Sequence, residues 1–385
     1  MNMTTLFPTY NRFPFEIISG SGVTITDQTG KQYLDLTSGI GVCNLGYNVK
    51  QLNEAVTAQL GQIWHTSNLY ENHLQEAVAE KLVQGEDKVV FFCNSGTEAN
   101  EAALKLARKA TGKTKILSFN HSFHGRSTGS LSVTGNEQIK EGFGELLSDV
   151  TFMPYNDFQS LQAITEDYAA VIVEVVQGEG GMTAGEADWL EALDTECKDK
   201  GVLLIIDEVQ SGMGRTGKLF AYQHYAMDPD IVTSAKGLAN GIPVGAMIGK
   251  KELASAFSAG AHGTTFGGNP LAMAAANQVL TILDDEFLEA VTQKAALFWY
   301  YLEKDLANLA VVESLSGKGL MIGIHLAPEL PVGNVIQALH QEGVLTLSAH
   351  GNTLRLLPPL VIKGADLIEA SQKIKQVLQM SMVHQ

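Results

Sequence analysis

The chain has 385 residues, too many for one simple core and suited to a large and a small domain. Its 45% hydrophobic and 18% charged residues are ordinary for a globular protein, and 42 acidic against 26 basic residues leave a net charge of -16, which opposes nucleic acid or an anionic membrane as partner. Residues 1–8 lack the basic and apolar regions of a secretory signal, the apolar run over 202–206 is far shorter than the ~20 residues of a membrane helix, and Cys43, Cys93 and Cys197 have no metal-ligand spacing, so a cytoplasmic protein with inert thiols and no bound metal is expected.

In chain order, residues 1–49 read as an arm and a hairpin, with 23–26 and 32–36 alternating around the turn Asp27-Gln28-Thr29-Gly30. Ser38-Gly39-Ile40-Gly41 breaks that pattern and predicts a flexible loop. Apolar residues recur at helical spacing over 49–60 and 74–83. From Lys88 onward, short apolar strands at 89–92, 115–118, 170–173, 202–207, 231–233 and 244–248 alternate with amphipathic helices such as 98–111 and 186–200. This pattern predicts an α/β fold, a mostly parallel sheet flanked by helices, with ligands beyond the carboxyl ends of the strands. That large domain is expected over 50–275. A helical stretch over 271–309, interrupted near Asp284-Asp285, leads into an α+β segment with strands at 319–326, 344–347 and 353–356 and helices over 332–341 and 365–380. Residues 276–385 are expected to form a smaller domain, to which the amino-terminal 1–49 also contributes.

Several strand ends carry chemistry. Ile231-Val232-Thr233-Ser234-Ala235 delivers Lys236 into a glycine-rich segment, where a long amine sits in tight, irregular backbone. Ser95-Gly96-Thr97 turns from a strand into a helix start, whose free amides and dipole suit an anion; plain N-capping would explain the hydroxyls equally well. Asp207 is the first polar residue after five apolar ones, and such a buried carboxylate needs a cationic or hydrogen-bonding partner. His121-Ser122-Phe123-His124-Gly125-Arg126 follows another strand and projects an aromatic, a histidine and an arginine from the same sheet edge; no third ligand with suitable spacing supports a metal there. Glu174 to Glu179 ends a further strand in carboxylates, and Arg355 lies in an apolar strand, where a guanidinium requires an anionic partner. A lysine for a carbonyl, a carboxylate for a ring nitrogen, an amide cup for a phosphate, an aromatic for a ring face and two arginines for carboxylates together match the needs of pyridoxal phosphate chemistry.

Ser95-Gly96-Thr97-Glu98-Ala99-Asn100-Glu101, His124-Gly125-Arg126, Gln177-Gly178-Glu179-Gly180-Gly181, Asp207-Glu208-Val209-Gln210, Ser234-Ala235-Lys236 and His262-Gly263-Thr264-Thr265-Phe266-Gly267-Gly268-Asn269-Pro270 resemble the class III aminotransferases of fold type I, over nearly the whole chain. The resemblance implies that Lys236 holds the cofactor aldehyde covalently, Asp207 pairs with the ring nitrogen, Gln210 approaches the ring hydroxyl, and Phe123 and Val209 cover the ring faces. It implies that Ser95, Gly96 and Thr97 bind the phosphate with Thr265 from the other subunit of a homodimer, whose active sites are shared. Arg126 would hold the α-carboxylate of the donor and Arg355 that of 2-oxoglutarate, with Glu179 covering Arg355 in between. Within the family the chain is most similar to members that move the δ-amino group of N2-acetylornithine to 2-oxoglutarate in arginine biosynthesis; ornithine, 4-aminobutyrate and succinyldiaminopimelate are alternative donors. Ile40 stands where the ornithine-specific members carry a tyrosine, and the arm before it is short, both of which resemble the members that take the acetylated donor. Gly46-Tyr47-Asn48-Val49-Lys50 departs from the family pattern and is expected to start a helix.

Overall fold

The computed structural model describes residues 5–383. Residues 1–4 of the expected arm and 384–385 of the expected carboxyl-terminal segment lie outside the described residues. Strands β1 (Ile17–Ser21), β2 (Thr24–Asp27) and β3 (Gln32–Asp35) form an antiparallel meander. Asp27 fixes the turn, accepting from the Thr29 and Lys31 amides while Tyr33 donates to its other oxygen at 2.8 Å. The loop expected to be flexible is instead a tight left-handed turn, with φ of +48° at Ser38, +61° at Gly39, +67° at Ile40 and +72° at Gly41. Buried Asp35 pins it through the Thr37 and Ser38 amides, and the Ser38 hydroxyl donates to the Leu357 carbonyl at 2.6 Å. The departing segment begins no helix until its last residue: Tyr47 pairs with Gly22, Asn48 turns at φ +56°, and the helix runs Lys50–Leu60.

The large sheet is built from β4 (Lys88–Cys93), β5 (Lys115–Phe119), β6 (Val150–Met153) and β7 (Tyr168–Val173). After a short ribbon of β8 (Val176–Gln177) and β9 (Thr183–Ala184), it is completed by β10 (Leu203–Asp207), β11 (Ile231–Ser234) and β12 (Gly245–Lys250). The strand order is β4-β12-β11-β10-β7-β5-β6, and β12 runs antiparallel to both neighbours while the remaining pairs are parallel. Successive residues of a strand face opposite sides, so Ile116, Ile172, Ile205 and Ile231 pack under the helix Gly96–Thr111, and Leu117, Val171, Val173, Leu204 and Ile206 join the main core. Edge strand β6 escapes sequence reading because it is short and only half-buried.

The helical stretch divides as expected, into Pro270–Ile282 and Asp285–Leu306, capped by Asn269 and Asp284. A division of the chain at 275/276 would cut the first of these. Strands β13 (Val312–Lys318), β14 (Met321–Leu326), β15 (Val344–Leu345), β16 (Leu347–Ala349) and β17 (Thr353–Leu356) precede a last helix, Gly364–Val383. The single strand expected over 344–347 is shared between two sheets: β15 adds in parallel to β3, whereas β16 closes an antiparallel sheet of order β13-β14-β17-β16. The β3–β15 pairing ties the two chain ends together. Among the described residues, no helix is long and apolar enough to cross a membrane.

Candidate active site

A cavity of about 440 Å³ opens beyond the carboxyl ends of β7, β10 and β11. It brings together Ser95, Gly96, Thr97, Phe123 and Arg126 from the first half of the site and Glu179, Asp207, Val209, Gln210 and Lys236 from the second. Arg355 joins through Glu179, to which it is ion-paired. Thr265 is exposed on the loop before the helix Pro270–Ile282 and does not line this cavity.

Asp207, 4% exposed, is held at both oxygens. Its Oδ2 accepts from Asn100 Nδ2 and lies 2.8 Å from His124 Nδ1, and its Oδ1 accepts from the Val209 amide at 3.0 Å. Asn100 is oriented in turn by the Thr233 hydroxyl, which donates to its Oδ1 at 2.7 Å. Held at both oxygens, the carboxylate is fixed in place. Sequence reading missed Asn100 and the role of His124. A buried asparagine within a helix is a usable signal, because Asn is a poor helix former. His124 and His121 do not converge: the first bonds Asp207, and the second packs at a tilt against His350, with ring centroids 4.4 Å apart.

Lys236 follows β11 with φ +44°, a left-handed conformation that costs a non-glycine residue about 1 kcal/mol or more and aims the side chain into the cavity. Asn240, also left-handed at φ +48°, holds the loop by accepting from the Leu45 amide at 2.7 Å and donating to the Gly46 carbonyl at 3.0 Å. Burial pushes the Lys236 amine below the usual lysine range; Glu179, Asp207 and Glu174 oppose that shift and Arg355 reinforces it. A lowered pKa leaves more of the amine as a free base, the form that attacks carbonyls and takes protons.

At the opposite end, Ser95 caps the helix Gly96–Thr111. The first-turn amides have no intrahelical acceptor, and with the helix dipole they form an anion cup. The Thr97 hydroxyl lies against Ser130 and accepts from the Ser127 amide. A Cβ on Gly96 would fall 2.6 Å from Val209 Cγ1, so glycine lets Val209 close over the cup. Arg126 stacks over Phe123 at 5.7 Å and forms no ion pair among the described residues. Burial alone would raise the Glu179 carboxyl, but Arg355 and Lys236 overcome it and hold the group below its ordinary value.

Pyridoxal phosphate fits this donor set. The buried Gln210 Oε1 and His124 Nε2 of the cavity have no hydrogen-bond partner among the described residues, and the cup and the fixed carboxylate match the phosphate and the protonated ring nitrogen.

A class-III aminotransferase family model matches residues 7–378. The chain is 58% identical to an acetylornithine aminotransferase of Lactiplantibacillus plantarum, over 98% of this chain and 97% of that protein. It is 50% identical to one of Bacillus subtilis, over 98% of each. Among solved structures, the N-acetylornithine aminotransferase of Stenotrophomonas maltophilia superposes with a TM-score of 0.85 at 31% identity, covering 98% of both chains. The ornithine aminotransferase of Toxoplasma gondii gives 0.94 at 28%, covering 99% of this chain and 94% of that one. With the lysine, the buried carboxylate and the anion cup assembled at one sheet edge, the chain belongs to the class-III aminotransferases of fold type I, which work with pyridoxal phosphate.

Proposed function

We propose that this aminotransferase takes the δ-amino group of N2-acetylornithine and passes it to 2-oxoglutarate, giving N-acetylglutamate 5-semialdehyde and glutamate. The observation that carries this reading is the Glu179–Arg355 pair. With Arg355 covered, Arg126 is the unpaired guanidinium at the cavity, so a donor is gripped by a carboxylate remote from its reacting amine. 2-Oxoglutarate, whose carboxylate adjoins the reacting carbon, competes with Glu179 for Arg355.

When bound, the cofactor supplies an electron sink for the carbon that bears the amine. Asp207 would keep the ring nitrogen protonated, with Asn100 and His124 holding Asp207 in place. Phe123 and Val209 would cover the ring, Gln210 would serve its hydroxyl, and Ser95, Gly96 and Thr97 would hold the phosphate. Lys236 Nζ removes the proton from the δ-carbon of the donor and later returns one to the carbon of 2-oxoglutarate that becomes the α-carbon of glutamate. The enzyme acts as a homodimer in the cytoplasm, with Thr265 of the partner subunit completing the phosphate site. The exposed Ile63, Trp64, Leu69, Tyr70 and Phe266 supply apolar area for that dimer, and the three free cysteines suit a reducing compartment.

Initial rates with acetylornithine, ornithine, succinyldiaminopimelate and 4-aminobutyrate against 2-oxoglutarate test the assignment. Acetylornithine should give the highest kcat/KM; a higher value for another amine reassigns the donor.

A further inference from the structure

Asp207 ends β10, and Glu174 directly follows the last residue of the adjacent parallel strand β7. Ile206 of β10 lies beside Val173 of β7, so the next residue on each strand, Asp207 and Glu174, reaches the same level of the sheet edge. Both are buried and both line the cavity that holds Lys236. Two carboxylates so placed in dry protein cannot both ionise cheaply, and hydrogen-bond donors decide which of them keeps the charge. Asp207 has Asn100, His124 and the Val209 amide. Glu174 has the Phe123 amide alone, on Oε2 at 3.2 Å, and forms no ion pair among the described residues.

We infer that Glu174 is a neutral carboxylic acid whose Oε1–H is a hydrogen-bond donor to the group bound in the cavity, while Asp207 carries the charge. Burial, reinforced by Asp207 and Glu179, pushes the Glu174 carboxyl well above the carboxylate range; the Phe123 amide and Lys236 only partly oppose it. The division of labour within the group follows from its contacts. Oε2 is the carbonyl oxygen that accepts from Phe123 and so sets the loop carrying Phe123 and Arg126, and Oε1 keeps the proton. Glu174 thus contacts the bound group and adds a donor without adding a cation. This inference rests on the proposed cofactor site.

Glu174→Gln preserves the acceptor, the donor and the neutrality. In the infrared spectrum of the holoenzyme at about pH 8, where the Glu208 carboxyl has mostly ionised, the wild type should show the carbonyl stretch of a protonated carboxylic acid that Glu174→Gln lacks. Glu174→Gln should keep the visible cofactor band and kcat within about threefold, and Glu174→Leu, which loses the donor, should lower kcat about tenfold. Absence of the infrared difference, or a loss in Glu174→Gln equal to that in Glu174→Leu, overturns the inference. The infrared difference reports Glu174 whatever the donor amine, whereas a wild type that binds no cofactor or turns over no acetylornithine fails the functional reading instead.

Discussion

At the scale of single residues, the site depends on which ionisable groups burial leaves charged. Lys236 is the lysine that lines the cavity, so Lys236→Ala should lower turnover by about 1,000-fold or more, with the absorbance of covalently held cofactor lost as well. Glu179→Ala removes the competitor for Arg355. Half-reactions followed by the cofactor band should then speed up with glutamate and slow relative to it with acetylornithine; an unchanged ratio would show that the pair does not sort substrates. Glu208, next to Asp207, serves structure: it accepts from the Ser211 hydroxyl at 2.6 Å and the Tyr222 amide at 2.8 Å. Burial pushes its carboxyl up to about 7 from 4.5. Because the folded state then binds the proton more tightly than the unfolded chain, this group favours folding below pH 4.5 and becomes a cost on the order of 3 kcal/mol as pH rises to 7. Glu208→Gln should remove that slope, seen as a smaller fall in Tm between about pH 5 and pH 8 than in the wild type.

At the scale of elements, the cofactor cup is a strand, a turn and a helix whose shape depends on one missing side chain. Gly96→Ala places a Cβ 2.6 Å from Val209 Cγ1, and Val209 neighbours Asp207. The clash should weaken cofactor retention about tenfold or more in dialysis while the far-ultraviolet circular dichroism stays unchanged. The turn into the helix and its capping serine are legible in the sequence because helix starts follow local rules. The left-handed turn at 38–41 was not, since Ser38 and Ile40 adopt a conformation anchored to the fold by Asp35 and the Leu357 carbonyl, and Leu357 lies more than 300 positions away. The same holds for β13 and β6, edge strands whose half-exposed residues give no clean alternation.

At the scale of the whole molecule, the cavity draws on segments from position 42 to position 244, and Arg355 joins it through Glu179, so its integrity depends on contacts between distant parts of the chain. In the proposed dimer, each site takes Lys236 from one subunit and Thr265 from the other. Mixing Lys236→Ala with Thr265→Asp, each impaired alone, should therefore restore about a quarter of wild-type activity after subunit exchange, since random assortment leaves one intact site in every heterodimer. No recovery would remove Thr265 from the shared site.

The sequence by itself determined the alternation of apolar strands and amphipathic helices, and it identified Lys236, Asp207 and the turn at 95–97 as polar groups stranded at apolar strand ends, because periodicity and burial are local properties of the chain. Tertiary structure alone decided that β12 runs against its neighbours, that β15 leaves its own sheet to join β3, and that Asn100 and His124 converge on Asp207. It also placed Glu174 beside Asp207. The charge a buried carboxylate keeps is set by donors and neighbours brought from distant parts of the chain, and a linear pattern does not contain those distances.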